Sequence, residues 1–164
     1  MIRLKKIILF AIGMVIIFLE TFFTNFINSY FSVNFLLIYI IFISFYIDKK
    51  SALILGGIIG LMSDMVSGGV VGITPLLFLA TSYFISSIEK SIFKDKRNIV
   101  CFFVLLISIV FSILEVAVSA IFFNPNALLS IALKALVLLP VANTVVAFLA
   151  YTIFEDKLIK LREE

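Results

Sequence analysis

The chain has 164 residues, 63% of them hydrophobic and 14% charged, with a mean hydropathy of +1.28 and a net charge of +3. A soluble domain is roughly 45–50% apolar and about 25% charged, so the composition excludes a soluble enzyme, and its apolar mass excludes disorder. A spanning helix takes ~20 residues, so six would use ~120 and leave no room for a separate catalytic domain.

The whole chain, 1–164, therefore reads as a single polytopic membrane domain. Six apolar segments stand out, at 7–27, 31–47, 51–66, 74–88, 99–123 and 127–154. They are continuous runs without strand alternation, and a backbone in lipid must satisfy its own hydrogen bonds, so helices are expected and a β-barrel is not. The predicted fold is an all-α integral membrane protein, a bundle of six transmembrane helices.

The first segment follows Arg3, Lys5 and Lys6 and has the outline of a signal peptide. No small-residue cleavage site follows, and Glu20-Thr21-Phe22-Phe23 continues the run, so an uncleaved helix is expected. Gly13, Glu20 and Thr24 share one of its faces. The second segment ends at Asp48-Lys49-Lys50.

The third is short and glycine-rich. Gly56-x-x-x-Gly60 permits close backbone approach to a neighbouring helix of the chain or to another subunit. Gly57, Gly60 and Asp64 lie on one face. Beyond them, Gly68, Gly69 and Gly72 permit positive φ. Thr74-Pro75 reads as an N-cap followed by Pro at the first position of the fourth helix. Asp64 is placed to accept hydrogen bonds from the N–H groups of that turn.

A basic stretch over 89–98 separates the fourth and fifth segments. In the fifth, Ser108, Ser112, Glu115 and Ser119 form one stripe at helical spacing. After Asn124-Pro125-Asn126 comes the sixth, where Ser130 and Lys134 are an i, i+4 pair. Pro140 is expected to kink this helix. Asn143, one turn on, is expected to bond a freed carbonyl or another helix.

All but one of the 13 basic residues fall before the first segment, between the second and third, between the fourth and fifth, or after the sixth. With six spans this places both termini in the cytoplasm. The positive balance is then a topology signal directed at anionic lipid, and it implies no nucleic-acid partner.

The remaining basic residue, Lys134, lies inside an apolar segment, as do Glu20, Asp64 and Glu115. A charge at mid-bilayer costs roughly 2.5–3.5 kcal/mol on insertion scales, so each requires a reason. At 1.5 Å per residue Glu20 sits ~10 Å, Glu115 ~12 Å and Lys134 ~10 Å from the outer ends of their helices. Asp64 is close to its own helix end, so all four fall in the outer half. Three readings are open: an ion network locking the bundle, a water-filled pocket open to the outside, or an ion path. The inner half lacks a matching chain of ionisable groups for the last. There is no His, which removes His-based triads, relays and metal sites. Cys101 is the only cysteine, so no intrachain disulfide or thiolate cluster forms. No metal or cofactor is implied.

Gly60-Leu61-x-x-Asp64-x-x-Ser67-Gly68-x-x-x-Gly72 resembles the glycine motif of the bacterial rod shape-determining protein family MreD. Length, six spans and minimal loops are similar across essentially the whole chain. The resemblance carries over Gly60, Asp64, Gly68 and Gly72 as motif positions. It implies a non-enzymatic scaffold of the cell-wall elongation machinery in the bacterial cytoplasmic membrane. The implied partner is a bitopic MreC-like protein, alongside a RodA-like glycosyltransferase, a class B penicillin-binding protein and MreB-like filaments. The family is also similar in fold to S components of energy-coupling-factor transporters, which makes a vitamin or small-solute binding subunit the rival reading. The Ala-x-x-x-Ala docking pattern common in S components is not present; the nearest stretch is Ala11-x-x-x-Val15.

Overall fold

A computed structural model describes residues 2–27, 33–68, 71–88, 97–122 and 134–163. Those residues form six α-helices and no strand: α1 (Ile2–Ile27), α2 (Phe35–Tyr46), α3 (Lys49–Ser67), α4 (Ile73–Ile88), α5 (Arg97–Phe122) and α6 (Leu139–Glu163), the last entered through a π turn at Lys134–Leu138. Among the described residues, three stretches are long and apolar enough to cross a membrane: Lys49–Ser67, Arg97–Leu114 and Leu136–Glu155. The helices α2 and α4 are apolar but shorter.

Consecutive helices run antiparallel. Tyr39 of α2 donates its hydroxyl to the Leu9 carbonyl of α1 at 2.5 Å. Ser108 of α5 meets Asn143 of α6. At one end of the bundle Lys6 lies near Asp48, Lys49 donates to Ser87, and Arg97 donates to Thr152. The basic residues that start α1, α3 and α5 therefore share an end with the end of α2, the last turn of α4 and the C-terminal half of α6.

The core is built around α2, whose residues 36–46 are buried except for Tyr39. Phe42 packs edge-on to Tyr151, and Phe45 to Phe103. The outside is just as apolar: Phe18, Leu76, Phe102 and Ile153 are among many large side chains left exposed. In water such a surface is an aggregation hazard; in lipid it is ordinary solvation.

Helix boundaries depart from the apolar segments in a consistent way. The first helix begins at Ile2, not residue 7, and the last runs to Glu163, beyond residue 154. Hydropathy marks where lipid ends, whereas Lys, Glu, Leu and Arg continue a helix readily into water. The second helix begins at Phe35, not residue 31. The expected start of the sixth segment, 127–133, lies outside the described residues. Pro140, where a kink is expected, follows a π turn over Lys134–Leu138. Proline lacks the N–H that would close the regular ladder, and a widened turn absorbs the mismatch.

Asp48 caps α3, accepting from the Ser51 N–H at 3.0 Å and the Ser51 hydroxyl at 2.8 Å. Burial raises its pKa, but those two bonds and the charge of Lys6 outweigh it, so the carboxyl sits below its usual value. This contribution to stability is present above the unfolded-state pKa and is lost as pH falls through the lower folded-state value.

Candidate functional site

Polar side chains within the apolar segments gather at two helix ends. The first is the N-terminus of α2. A helix start leaves its first N–H groups without intrahelical partners, and in lipid nothing else supplies them. Here the side chain of Asn34 accepts from the Leu37 N–H at 2.6 Å, and its carbonyl accepts from Ile38. The Glu20 carboxylate of α1 accepts from the Leu36 N–H at 3.3 Å. The Asn34 N–H in turn donates to the Asn143 side-chain oxygen at 2.9 Å. The amide nitrogen of Asn143 donates to Ser108 Oγ at 2.9 Å. Asn143 and Ser108 are fully buried.

These bonds explain why α2 is short. From Glu20, α1 continues to Ile27, ~10 Å further at 1.5 Å per residue. The start of α2 lies at the level of Glu20, recessed by that distance from the end of α1. A carboxylate at the positive end of a helix is electrostatically favourable, and more so away from water. Glu20 thus has a definite role in holding a recessed helix start. Asn143 meets the expectation that it bonds another helix, and it bonds two.

The second helix end joins α3 to α4. Asp64 is only 4% exposed, and its carboxylate accepts from the Gly72 N–H at 2.7 Å. Its backbone carbonyl accepts from Gly68. Gly68 (φ +68°) and Gly72 (φ +107°) both occupy the left-handed region that side chains disfavour. The expected bond from Asp64 to the turn is present. The expected cap is not: α4 starts at Ile73, one residue before Thr74, and the residue preceding it is Gly72. With the Gly72 N–H taken by Asp64, its carbonyl receives the Leu76 N–H and opens the helix. Pro75 falls within the first turn, where a missing N–H is harmless.

The glycine face is equally specific. A Cβ on Gly60 would lie 2.6 Å from Pro75 Cα, and one on Gly56 would lie 2.9 Å from Ser82 Oγ. Gly56-x-x-x-Gly60 therefore packs against α4 of the same chain. Together Gly56, Gly60, Asp64, Gly68 and Gly72 build one close-packed helical hairpin.

Glu20 and Asp64 bond different helix ends, Glu20 the start of α2 and Asp64 the turn before α4. Glu115 lies in α5 and Lys134 opens the π turn, but their side chains, and with them the expected ion network, lie outside what is described. Of the α5 serine stripe, Ser108 and Ser112 are buried, and the Ser112 hydroxyl has no partner among the described residues; the Ser119 side chain lies outside them. Among those residues no group of three His, Cys, Asp or Glu gathers as a metal site.

One polar cluster has no counterpart in the sequence reading. Ser44 of α2 donates to the Ile40 carbonyl and meets Ser82 Oγ at 3.0 Å. Ser86 donates to the Ser44 carbonyl at 3.1 Å. The signal was the i, i+4 spacing of Ser82 and Ser86, which marks one face of α4.

Asp64→Ala is expected to lower stability by about 1–3 kcal/mol, the penalty for leaving a part-buried N–H unpaired. Asp64→Asn retains an oxygen acceptor and should lose less. Thermal unfolding in detergent measures both, and an alanine variant melting with the wild type would show that the Gly72 bond is dispensable.

Most of these bonds fix the end of a helix or tie one helix to another. The family model for rod shape-determining protein MreD matches residues 2–151. No curated protein and no solved structure gives a match. The match spans nearly the whole chain, including the glycine and aspartate hairpin, and the chain belongs to the MreD family of rod shape-determining proteins.

Proposed function

We propose that this chain is a multi-pass scaffold in the bacterial cytoplasmic membrane that couples cell-wall elongation to rod shape. The family match over residues 2–151 carries the reading. Its mechanism is assembly. Helix faces bind the transmembrane helix of an MreC-like partner, and the basic end, including Arg97, faces RodA-like and penicillin-binding synthases or MreB-like filaments. All six helices are embedded, with both termini cytoplasmic. The basic residues gathered at one end of the bundle support that orientation. The interior positions Glu20, Asp64, Glu115 and Lys134 form the functional interior that keeps the scaffold in one conformation. The bonds of Glu20 and Asp64 to helix-end N–H groups support this assignment.

Affinity purification in mild detergent tests the reading. Co-purification of an MreC-like bitopic protein is the expected result. Recovery of paired ABC ATPases with a coupling subunit, in place of that protein, would overturn it. Lys134→Leu is expected to reduce accumulation and rod-shape complementation together. A variant that accumulates and complements as wild type would leave Lys134 with no role in either an ion network or a pocket.

A further inference from the structure

The helices α1 and α6 both pack against α2 and share no extensive contact with each other. Between them runs a groove of about 580 Å³, floored by α2. Ile12 and Ile16 line one wall, Val146 and Ala150 the other, and Tyr39 the floor. The Tyr39 hydroxyl is spent on the Leu9 carbonyl, so the length of the groove offers hydrocarbon alone. At the basic end of the bundle the lining includes one cation, Lys157.

We propose that this groove seats an acyl chain of an anionic phospholipid, with Lys157 pairing with the headgroup phosphate. The proposal rests on the membrane orientation given above and not on the shape-determining role.

Three observations select a lipid over a partner's helix. Helix–helix contacts in membranes rely on small residues that let backbones approach, and among the described residues of the lining Ala150 is the only small one. On α1 the lining extends from Leu9 to Leu19, which is ~15 Å at the helical rise; that is about half of the ~30 Å hydrocarbon core, the depth of one acyl chain and too short for a spanning helix. The charge is also at the correct place. Lys157 lies at the end where the other basic residues gather, the level of an anionic headgroup, and its ammonium sits 5.7 Å from the Phe154 ring centre, anchored over apolar surface.

The full chain, reconstituted in nanodiscs with equal phosphatidylglycerol and phosphatidylcholine, then released for native mass spectrometry, tests this. The wild type is expected to retain phosphatidylglycerol over phosphatidylcholine by about fivefold, the ratio corresponding to ~1 kcal/mol per basic residue near an anionic surface. Lys157→Gln should retain lipid but lose the preference. Ile12→Trp adds bulk on a wall residue that is 43% exposed, so the fold should persist while retention of both lipids falls. Helicity and elution volume confirm that fold; if Ile12→Trp misfolds, Val146→Phe on the opposite wall replaces it. Equal retention of the two lipids by the wild type, or an unchanged preference in Lys157→Gln, overturns the proposal. So does a photo-crosslinker at position 12 that captures a protein helix in native membranes in place of lipid. A chain that does not enter nanodiscs at all would instead defeat the membrane orientation on which the proposal stands.

Discussion

Gly60→Leu should prevent stable accumulation of the protein in the membrane. Even the first added atom meets backbone: the Cβ would lie 2.6 Å from Pro75 Cα, 2.8 Å from Pro75 N and 3.1 Å from the Phe78 ring. A flexible side chain could swing aside, but Pro75 cannot. Its φ is fixed by its ring, and three residues earlier Gly72 is held by the Asp64 carboxylate. To admit a larger residue, α4 must move away from α3, which also breaks the contact of Gly56 with Ser82 and Phe78. Overpacking costs typically 1–3 kcal/mol for a few methylenes in a yielding core, and this site does not yield. Against a total stability of about 5–15 kcal/mol, alanine should be clearly destabilising and leucine disabling. Gly57→Ala is the control. Its Cβ would meet only the flexible Leu79 side chain, at 3.4 Å, and alanine favours a helix over glycine by about 1 kcal/mol. That variant should accumulate at least as well as the wild type. Equal accumulation of Gly60→Ala and Gly57→Ala would show that the hairpin is looser than described.

Asn143→Leu should be the most damaging substitution of a neutral polar residue. Asn143 accepts from the Asn34 N–H and donates to Ser108 Oγ, tying the start of α2 to α5 and α6. Leucine has similar size, so little packing changes. The part-buried N–H of Asn34 and the buried hydroxyl of Ser108 both lose their partner. Interhelical hydrogen bonds in membranes average about 0.6 kcal/mol and reach ~1.7, and an unsatisfied buried group costs a further 1–3. The expected loss is about 2–4 kcal/mol. At 2–4 °C per kcal/mol for a chain of this length, the melting midpoint should fall by on the order of 10 °C. Ser108→Ala alone should cost less, and the double variant should cost less than the two single losses added together. Strict additivity would mean that the two side chains do not interact.

Both substitutions touch features that are legible in the sequence. The spacing of Gly56 and Gly60, the positive φ at Gly68 and Gly72, the bond from Asp64 to the turn and the cross-helix role of Asn143 all follow from local chemistry. These features are local because glycine and a turn N–H constrain their immediate neighbours. The recessed start of α2 is not legible. Phe31-Ser32-Val33-Asn34-Phe35 is apolar enough to extend the segment, and only Glu20 and Asn143, distant in the chain, make Asn34 the place to begin. The cap of α4 was misplaced for the same reason: Thr74-Pro75 carries a true local signal, but the Asp64 carboxylate moves the start to Gly72. Helix ends in the charged tails were missed because hydropathy reports lipid, not helix.

Depletion of this protein in its own cells tests the central claim, that a membrane scaffold of the MreD family determines rod shape here, most directly. Cell width and curvature are measured by microscopy as the protein disappears. Rods are expected to widen and round, the wild-type chain to restore them, and Gly60→Leu not to. Depleted cells that remain rods of normal width while losing uptake of a small solute would contradict it.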